Sequence, residues 1–293
     1  MFSEKLKVSV KNHFLFLFCV CANTLSYSQQ MVLKSQNVGN KILSSKSTIL
    51  TKTSSLPTTN TIIEEGNNAK LEEESEVVIV NKTAPSGVDI NFLPLFGRYT
   101  KTEAQQLDDY MFLSDCDKSF KSRSEASDFF SKMGWDYLSE GDKNTAINRF
   151  NLSWLLNPEN IDPYWGLGVI EYQSSNFSNA IKLMTKGIDI SKNTNYVLKV
   201  DLATVYIKMA FDNPNSMIET NIARGLVNDA LEIQPKYTPA YMQLTLLNIF
   251  ENKPDEAWES FHKGYELNSQ EINLEILNEL LQRKDDPKGI FKK

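Results

Sequence analysis

The feature that most constrains this chain is a spacing of 34 residues between chemically similar positions. Phe130 and Tyr164 are 34 apart, as are Met133 and Leu167, Gly134 and Gly168, Ala146 and Ala180, Phe150 and Met184, and Ser153 and Gly187. The same interval links Ala223 to Ala257, Val227 to Phe261 and Ala230 to Gly264. A fixed interval of this length marks one supersecondary unit copied along the chain. A single unit cannot bury its own apolar face, so neighbours must stack into a continuous core, and at least three are needed. Gly and Ala at fixed places fit two helices crossing closely, with large side chains filling the seam between them. Glu140-Gly141-Asp142 and Lys253-Pro254-Asp255 supply the turns.

The pattern resembles the tetratricopeptide repeat, W-x2-L-G-x2-Y-x8-A-x3-F-x2-A-x4-P. Repeat one, 127–160, reads Phe130, Met133-Gly134, Tyr137, Ala146, Phe150, Ser153, Pro158. Repeat two, 161–194, reads Tyr164, Leu167-Gly168, Glu171, Ala180, Met184, Gly187, with Lys192 in the proline place. Repeat four, 238–271, reads Tyr241, Leu244-Thr245, Asn248, Ala257, Phe261, Gly264. Repeat three is irregular: Leu202-Ala203 and Tyr206 mark its first helix, and Ala223, Val227, Ala230 and Pro235 its second. Ala180 to Ala223 is 43 residues, so about nine are inserted, at or near Phe211–Ser216. The resemblance implies an all-α, right-handed superhelical solenoid of about four helix pairs.

Both ends of such an array need covers. Gln270–Lys284 sets Ile272, Ile276, Leu277, Leu280 and Leu281 on one face and reads as a C-terminal capping helix with a polar outer side, stopped by Asp285-Asp286-Pro287. Thr102-Glu-Ala-Gln105 is a capping-box start. A helix from there to about Asp115 presents Leu107, Tyr110, Met111 and Leu113, expected to pack on repeat one. Phe92–Gly97 reads as an apolar segment lying on the array. The expected division is a signal peptide at 1–28, a disordered spacer at 29–90, an N-terminal extension helix at 91–126, the array at 127–271, and a capping helix and tail at 272–293.

The leader reading rests on Lys5, Lys7 and Lys11, an apolar core of about nine residues at Phe14–Ala22, and Ser26-Tyr27-Ser28 before Gln29, a three-part secretory signal cut near Ser28. The apolar core is short of the ~20 residues a membrane-spanning helix needs. Phe18 and Val20 precede Cys19 and Cys21 where a lipidated cysteine requires a small residue, so no lipid anchor is expected. Residues 29–90 are rich in Ser, Thr, Asn, Lys and Gln, have no helical period, and cannot bury enough apolar surface to offset ordering. Val77–Val80 is an apolar exception, read as a sticky patch in the tether. A flexible spacer of this length reaches roughly 40–45 Å. The protein is thus expected to be exported, periplasmic or secreted.

Composition removes further classes. There are 31 Lys+Arg against 37 Asp+Glu, a net charge of −6. An acidic surface is a poor general partner for nucleic acid. His13, Cys19 and Cys21 lie in the leader, which leaves His262 and Cys116, too few for a Cys/His zinc site and no basis for an intrachain disulfide. Asp115 and Asp117 disfavour a Cys116 thiolate, so that thiol reads as a partly buried small side chain. His262 reads as a surface helix residue rather than a general base. No phosphate-binding loop is present. No enzyme, cofactor or metal is expected.

Binding remains. The family resemblance implies that the first helix of each pair lines the concave groove, at Ser131, Trp135 and Leu138; Trp165, Val169 and Tyr172; Val200, Thr204 and Lys208; and Met242, Leu246 and Ile249. Lys208 is the one residue there suited to the family's carboxylate clamp, which argues against that mode. Trp135, Leu138, Trp165, Val169, Tyr172, Met242 and Leu246 would make an apolar strip with aromatic anchors. The competing reading is ordinary inter-repeat packing, or cover by the chain's own 92–99 segment. The expected function is a non-catalytic protein or peptide scaffold in the cell envelope that takes an apolar peptide or helix in this groove. The alternative is an accessory protein of an extracellular degradative system, stacking saccharide on Trp135, Trp165 and Tyr172. Neither the partner nor the oligomeric state follows from the sequence.

Overall fold

A computed structural model describes residues 82–213 and 217–292. The signal-peptide and lipidation readings, and the spacer up to residue 81, lie outside the described residues, as do positions 214–216 of the insertion.

The described residues are all-α, with ten α-helices: α1 (Glu103–Ser119), α2 (Arg123–Ser139), α3 (Lys143–Leu156), α4 (Ile161–Gln173), α5 (Phe177–Ile190), α6 (Tyr196–Asp212), α7 (Ile218–Ile233), α8 (Thr238–Phe250), α9 (Pro254–Leu267) and α10 (Leu274–Arg283). They pair most extensively as α2/α3, α4/α5, α6/α7 and α8/α9, and each hairpin stacks on the next. This is the solenoid the 34-residue interval anticipates. The start signals are chemical: Ser122 accepts from the Glu125 N–H, Asp142 from the Thr145 N–H, Asn195 from the Leu198 N–H, and Asn273 from the Glu275 and Ile276 N–H groups.

The repeated pattern is a repeated contact. A Cβ on Gly134 would lie 2.7 Å from the Phe150 ring, and one on Gly168 would lie 2.7 Å from Met184 Cγ. Both members of that pair recur at 34 residues, because each glycine lets its helix close on the large side chain of its own partner helix. Phe150, Met184, Val227 and Phe261 are all fully buried. Such a side chain stabilises by roughly 1.5–3 kcal/mol on burial.

The irregular third repeat resolves into two changes. Gly168 to Ala203 is 35 residues, one more than the period, and the extra residue falls in the α5–α6 turn, where Lys192 and Asn193 are left-handed. Ala203 to Ala223 is 20 residues where Gly134 to Ala146 is 12. That excess lengthens the end of α6 and the link to α7. Phe211 seats the added turn edge-on against Phe250, 5.1 Å between ring centroids.

The two ends depart from expectation. Composition places residues 82–90 in the spacer, yet Thr83 bridges Thr100 and Ile90 is buried, so the folded body begins before residue 91. Ile90–Phe92 and Pro94–Arg98 form short 3-10 turns that pack on α3. In the second, Leu95, Phe96, Gly97 and Arg98 all have positive φ, between 50° and 63°. Only glycine adopts that region freely, and other residues are held there at about 1–2 kcal/mol each. Asn151 of α3 supplies the hold. Its Oδ1 accepts from the Leu95 N–H at 2.8 Å, and its Nδ2 donates to Asn91 O and Leu93 O at 3.0 and 2.8 Å. The Lys101 ammonium sits 3.3 Å over the Phe96 ring.

Helix α1 has the expected capping box at Thr102 and Gln105, but of the four residues expected to dock only Leu113 does. Phe112, Leu113 and Cys116 pack against Phe120, Ala126, Phe130 and Leu156. Leu107, Tyr110 and Met111 point outward and are 58%, 70% and 55% exposed. At the other end, α10 buries Ile276, Leu277, Leu280 and Leu281 as expected, but begins at Leu274 rather than Gln270.

Candidate binding face

The first helices α2, α4, α6 and α8 carry the residues expected to form an open apolar strip. The strip is not open. Trp135 is 8% exposed, and Leu138, Val169, Tyr172, Met242 and Leu246 are buried with it. Ser131, Val200, Thr204 and Ile249 are buried too. Among the seven strip residues, Trp165 keeps partial exposure. The physical reason is repeat-to-repeat closure. The Trp135 ring meets Phe150 of its own hairpin edge-on at 5.3 Å and Trp165 of the next hairpin at 5.5 Å. The proximity of the two tryptophans holds, and it is packing that brings them together.

The chain's own 92–99 segment joins the same core, where Leu95 shares a cluster with Trp135, Leu138, Val169 and Tyr172. It rests on α3, the second helix of the first pair, through Asn151 and a tilted Phe96–Trp154 contact of 6.3 Å. The sugar-stacking alternative finds no free ring face on Trp135 or Tyr172.

In place of an apolar strip, the first helices are tied by a ladder of polar contacts that the sequence reading missed. The Trp135 indole sits by the Asp162 carboxylate and favours its charged form. The Trp165 indole N–H donates to Asp201 Oδ2 at 2.7 Å. Thr204 Oγ1 accepts from Gln243 Nε2 at 3.0 Å while donating to Val200 O. Burial drives Asp201 up to about 7, with the Trp165 N–H pulling it partway back. Burial also raises Asp162, helped by the nearby Asp128 and opposed by Trp135. The signal was present: Asp201 is the one carboxylate in the apolar run Tyr196–Ile207. A carboxylate in such a run needs a buried donor, and the indole one repeat earlier provides it.

The candidate reactive groups are both sealed. His262, expected on the surface, is 3% exposed. It packs beside both Trp258 and Phe291, with ring centroids at 5.3 and 6.4 Å and near-parallel planes, in a cluster where those two rings also touch each other. Its Nε2 is 2.9 Å from Asp286 Oδ1, off the line of a straight hydrogen bond. Burial holds His262 below the usual histidine range, against the pull of Asp286. Cys116 is buried, and burial together with Asp117 and Asp115 pushes its thiol up to about 11. A thiol at that value is no nucleophile at neutral pH. Among the described residues no group of three or more His, Cys, Asp or Glu side chains could hold a metal ion, and no helix is long and apolar enough to cross a membrane.

No protein-family model matches this chain. It is similar to the RNA polymerase-associated protein CTR9 of Caenorhabditis elegans, 26% identical over 176 residues, which cover 50% of this chain and 15% of that protein. The chain thus spans a small part of that relative's length. Among solved structures it is similar to TTC0263, a thermophilic TPR protein of Thermus thermophilus, with a TM-score of 0.47 and 16% identity over 54% of this chain and 80% of that one. It is also similar to pilF of Pseudomonas aeruginosa, with a TM-score of 0.48 and 18% identity over 55% of this chain and 68% of that one. A third is the first TPR of Spaghetti (RPAP3) bound to an HSP90 peptide, with a TM-score of 0.35 and 24% identity over 41% of this chain and 86% of that one. The stacked hairpins, their repeated glycine contacts and their 34-residue interval support an all-α, tetratricopeptide-like solenoid fold.

Proposed function

We propose that this chain is a non-catalytic protein-interaction scaffold of the cell envelope, exported by the leader at 1–28. One observation carries the non-catalytic part. The two side chains best suited to catalysis, His262 and Cys116, are walled into the two ends of the array, where they hold packing together. A rigid solenoid of stacked hairpins is a surface for other chains. The first-helix face takes a peptide or helix of a partner, with Trp165 as its aromatic contact. Trp135, Leu138, Val169 and Tyr172, in the core cluster that Trp165 packs against, give that contact its rigidity from behind, while Met242 and Leu246 belong to the separate core of the fourth pair and α10.

The test is affinity capture from an envelope extract with the tagged full chain, set beside its Trp165→Ala and Trp165→Phe forms, each checked for helicity. The expected result is a partner retained by the native chain, reduced by Trp165→Phe and lost with Trp165→Ala. A partner held equally by all three would remove the first-helix face from the proposal. N-terminal sequencing of the exported product is expected to begin at Gln29; an intact Met1 in the envelope fraction would defeat the leader reading.

A further inference from the structure

Helix α1 is apolar on two faces. Its inner face, through Phe112, Leu113 and Cys116, is docked. Its outer face carries Leu107, Tyr110 and Met111 at the i, i+3, i+4 spacing of one helical stripe. All three are more than half exposed. Isolated exposed hydrophobics need no explanation, but three large ones aligned on a single stripe mark an interaction surface.

The stripe is preformed. Thr102 and Gln105 cap the start of the helix in a reciprocal box. The Lys101 ammonium pairs with Asp109 at 2.6 Å. Arg123 grips Asp117 with two hydrogen bonds of 2.9 and 2.8 Å at the far end. Phe112 meets Phe130 edge-on at 5.2 Å. The outer side chains therefore stand on a helix fixed at both ends and from below.

The stripe is framed by carboxylates. Glu103 and Asp117 fall on one side of it, and Asp108 and Asp115 on the other, all exposed. The helix bears five carboxylates and a single lysine, Lys118, which pairs with Asp115 at 3.1 Å. Charge selects the occupant. Three of these carboxylates are already neutralised, Asp109 by Lys101, Asp115 by Lys118 and Asp117 by Arg123, which leaves Glu103 on one flank and Asp108 on the other to meet a partner's cations. A second copy would set these same charges against each other, and like charges across an interface are repelled. A helix with Leu or Met along one stripe and Lys or Arg on both flanks matches both the apolar centre and the acidic rim. We infer that the outer face of α1 is a docking site for a basic amphipathic helix of a partner protein, separate from the first-helix face.

The test uses the full chain and a labelled 18-residue Leu/Lys amphipathic helix, followed by fluorescence anisotropy. A Leu/Glu helix with the same apolar stripe is the control. The expected result is micromolar binding of the Leu/Lys helix and none of the Leu/Glu helix. Leu107→Ser with Met111→Ser, helicity retained, weakens binding at least tenfold. Asp108→Lys weakens it and flattens its salt dependence. Ile218→Ser with Ile222→Ser, on an apolar patch elsewhere, leaves it unchanged. Equal binding by the Leu107/Met111 variant, equal binding of the Leu/Glu helix, or equal loss in the Ile218/Ile222 variant would overturn the assignment. So would a concentration-dependent dimer abolished by the Leu107/Met111 pair, which gives the face to a second copy. Carbodiimide cross-links from Lys34, Lys41, Lys46 or Lys52 to Asp108 within one chain would also overturn it, giving the face to the protein's own N-terminal region.

Discussion

The two ends of the array solve the same problem in opposite ways. At the C-terminal end, α10 lays one apolar face on α8 and α9 and the tail then closes over what remains. Phe291 stacks on Trp258 and His262, and the Trp258 indole donates to Lys284 O at 3.1 Å. The Asp286 carboxylate gathers the backbone N–H groups of Lys288, Ile290 and Phe291 at 2.8, 2.8 and 2.9 Å. At the N-terminal end, α1 docks one apolar face and leaves a second bare. A solenoid end needs one covering face only. The second face of α1 is therefore surplus to stability, which is why it reads as a contact surface and the C-terminal end as a plug.

The sharpest way to break this comparison is Asp286→Ala. Burial alone would raise the Asp286 carboxyl, but the backbone donors of Phe291, Lys288 and Ile290, with His262, hold it below the usual range. Removing it strands three N–H groups and the buried His262. The expected loss is about 1–3 kcal/mol, the cost of leaving hydrogen-bond donors without their acceptor, read by thermal or urea unfolding. A loss near zero would mean the tail is not a plug. The plug also carries a pH signature. His262 takes a proton less readily folded than unfolded, so the unfolded chain binds more protons as pH falls. Its contribution is intact above about 6.5 and declines below it, followed by that of Asp286 in more acid solution. His262→Gln is expected to flatten the slope of stability against pH between about 7 and 5.

The interior offers a contrast of opposite sign. Asp201 has its carboxyl raised to about 7, so above that pH the fold carries an ionised group it disfavours. Asp201→Asn keeps an acceptor for the Trp165 indole and removes the charge. The variant is expected to be more stable than the native chain by roughly 1–3 kcal/mol at about pH 8, with the gap closing toward about pH 5 as Asp201 takes up its proton. Equal melting temperatures at both pH values would show that solvent reaches Asp201.

How much of this was legible follows from what periodicity measures. The 34-residue interval, the helix pairs and the capping box at Thr102 are local or repetitive, and all of them read directly. Side-chain direction at the same positions is harder. The family's phase puts Trp135 and Tyr172 on the groove side. In a repeat whose neighbours close as tightly as Phe150, Trp135 and Trp165 do, that position becomes interior. His262 reads as exposed because nothing in Ser260-Phe-His-Lys263 announces the tail that folds back on it. A contact made by residues 286–291 has no periodicity. The stripe on α1 is visible in the sequence, but its direction is not. Two apolar faces on one helix look alike in sequence, and the choice between Leu107/Tyr110/Met111 and Phe112/Leu113/Cys116 is made by the aromatic partners Phe120 and Phe130.

The smallest expected effect is the one that separates the ends most cleanly. Replacing Leu107, Tyr110 and Met111 together by Ser removes three large apolar side chains from α1. Were they packing, each would cost roughly 2–5 kcal/mol, as large-to-small core changes do. Exposed as they are, the triple variant is expected to unfold within about 0.5 kcal/mol of the native chain. The matching change at the other end, Leu280→Ser on the buried face of α10, is expected to cost several times more, because it places a hydroxyl where a fully buried side chain stood. If both ends lost stability alike, α1 would be a plug in its own right, and its outer face would be covered by some part of the chain. If the N-terminal variant loses nothing while the C-terminal one falls, apolar surface is being held in water at one end alone, and interaction rather than folding accounts for it.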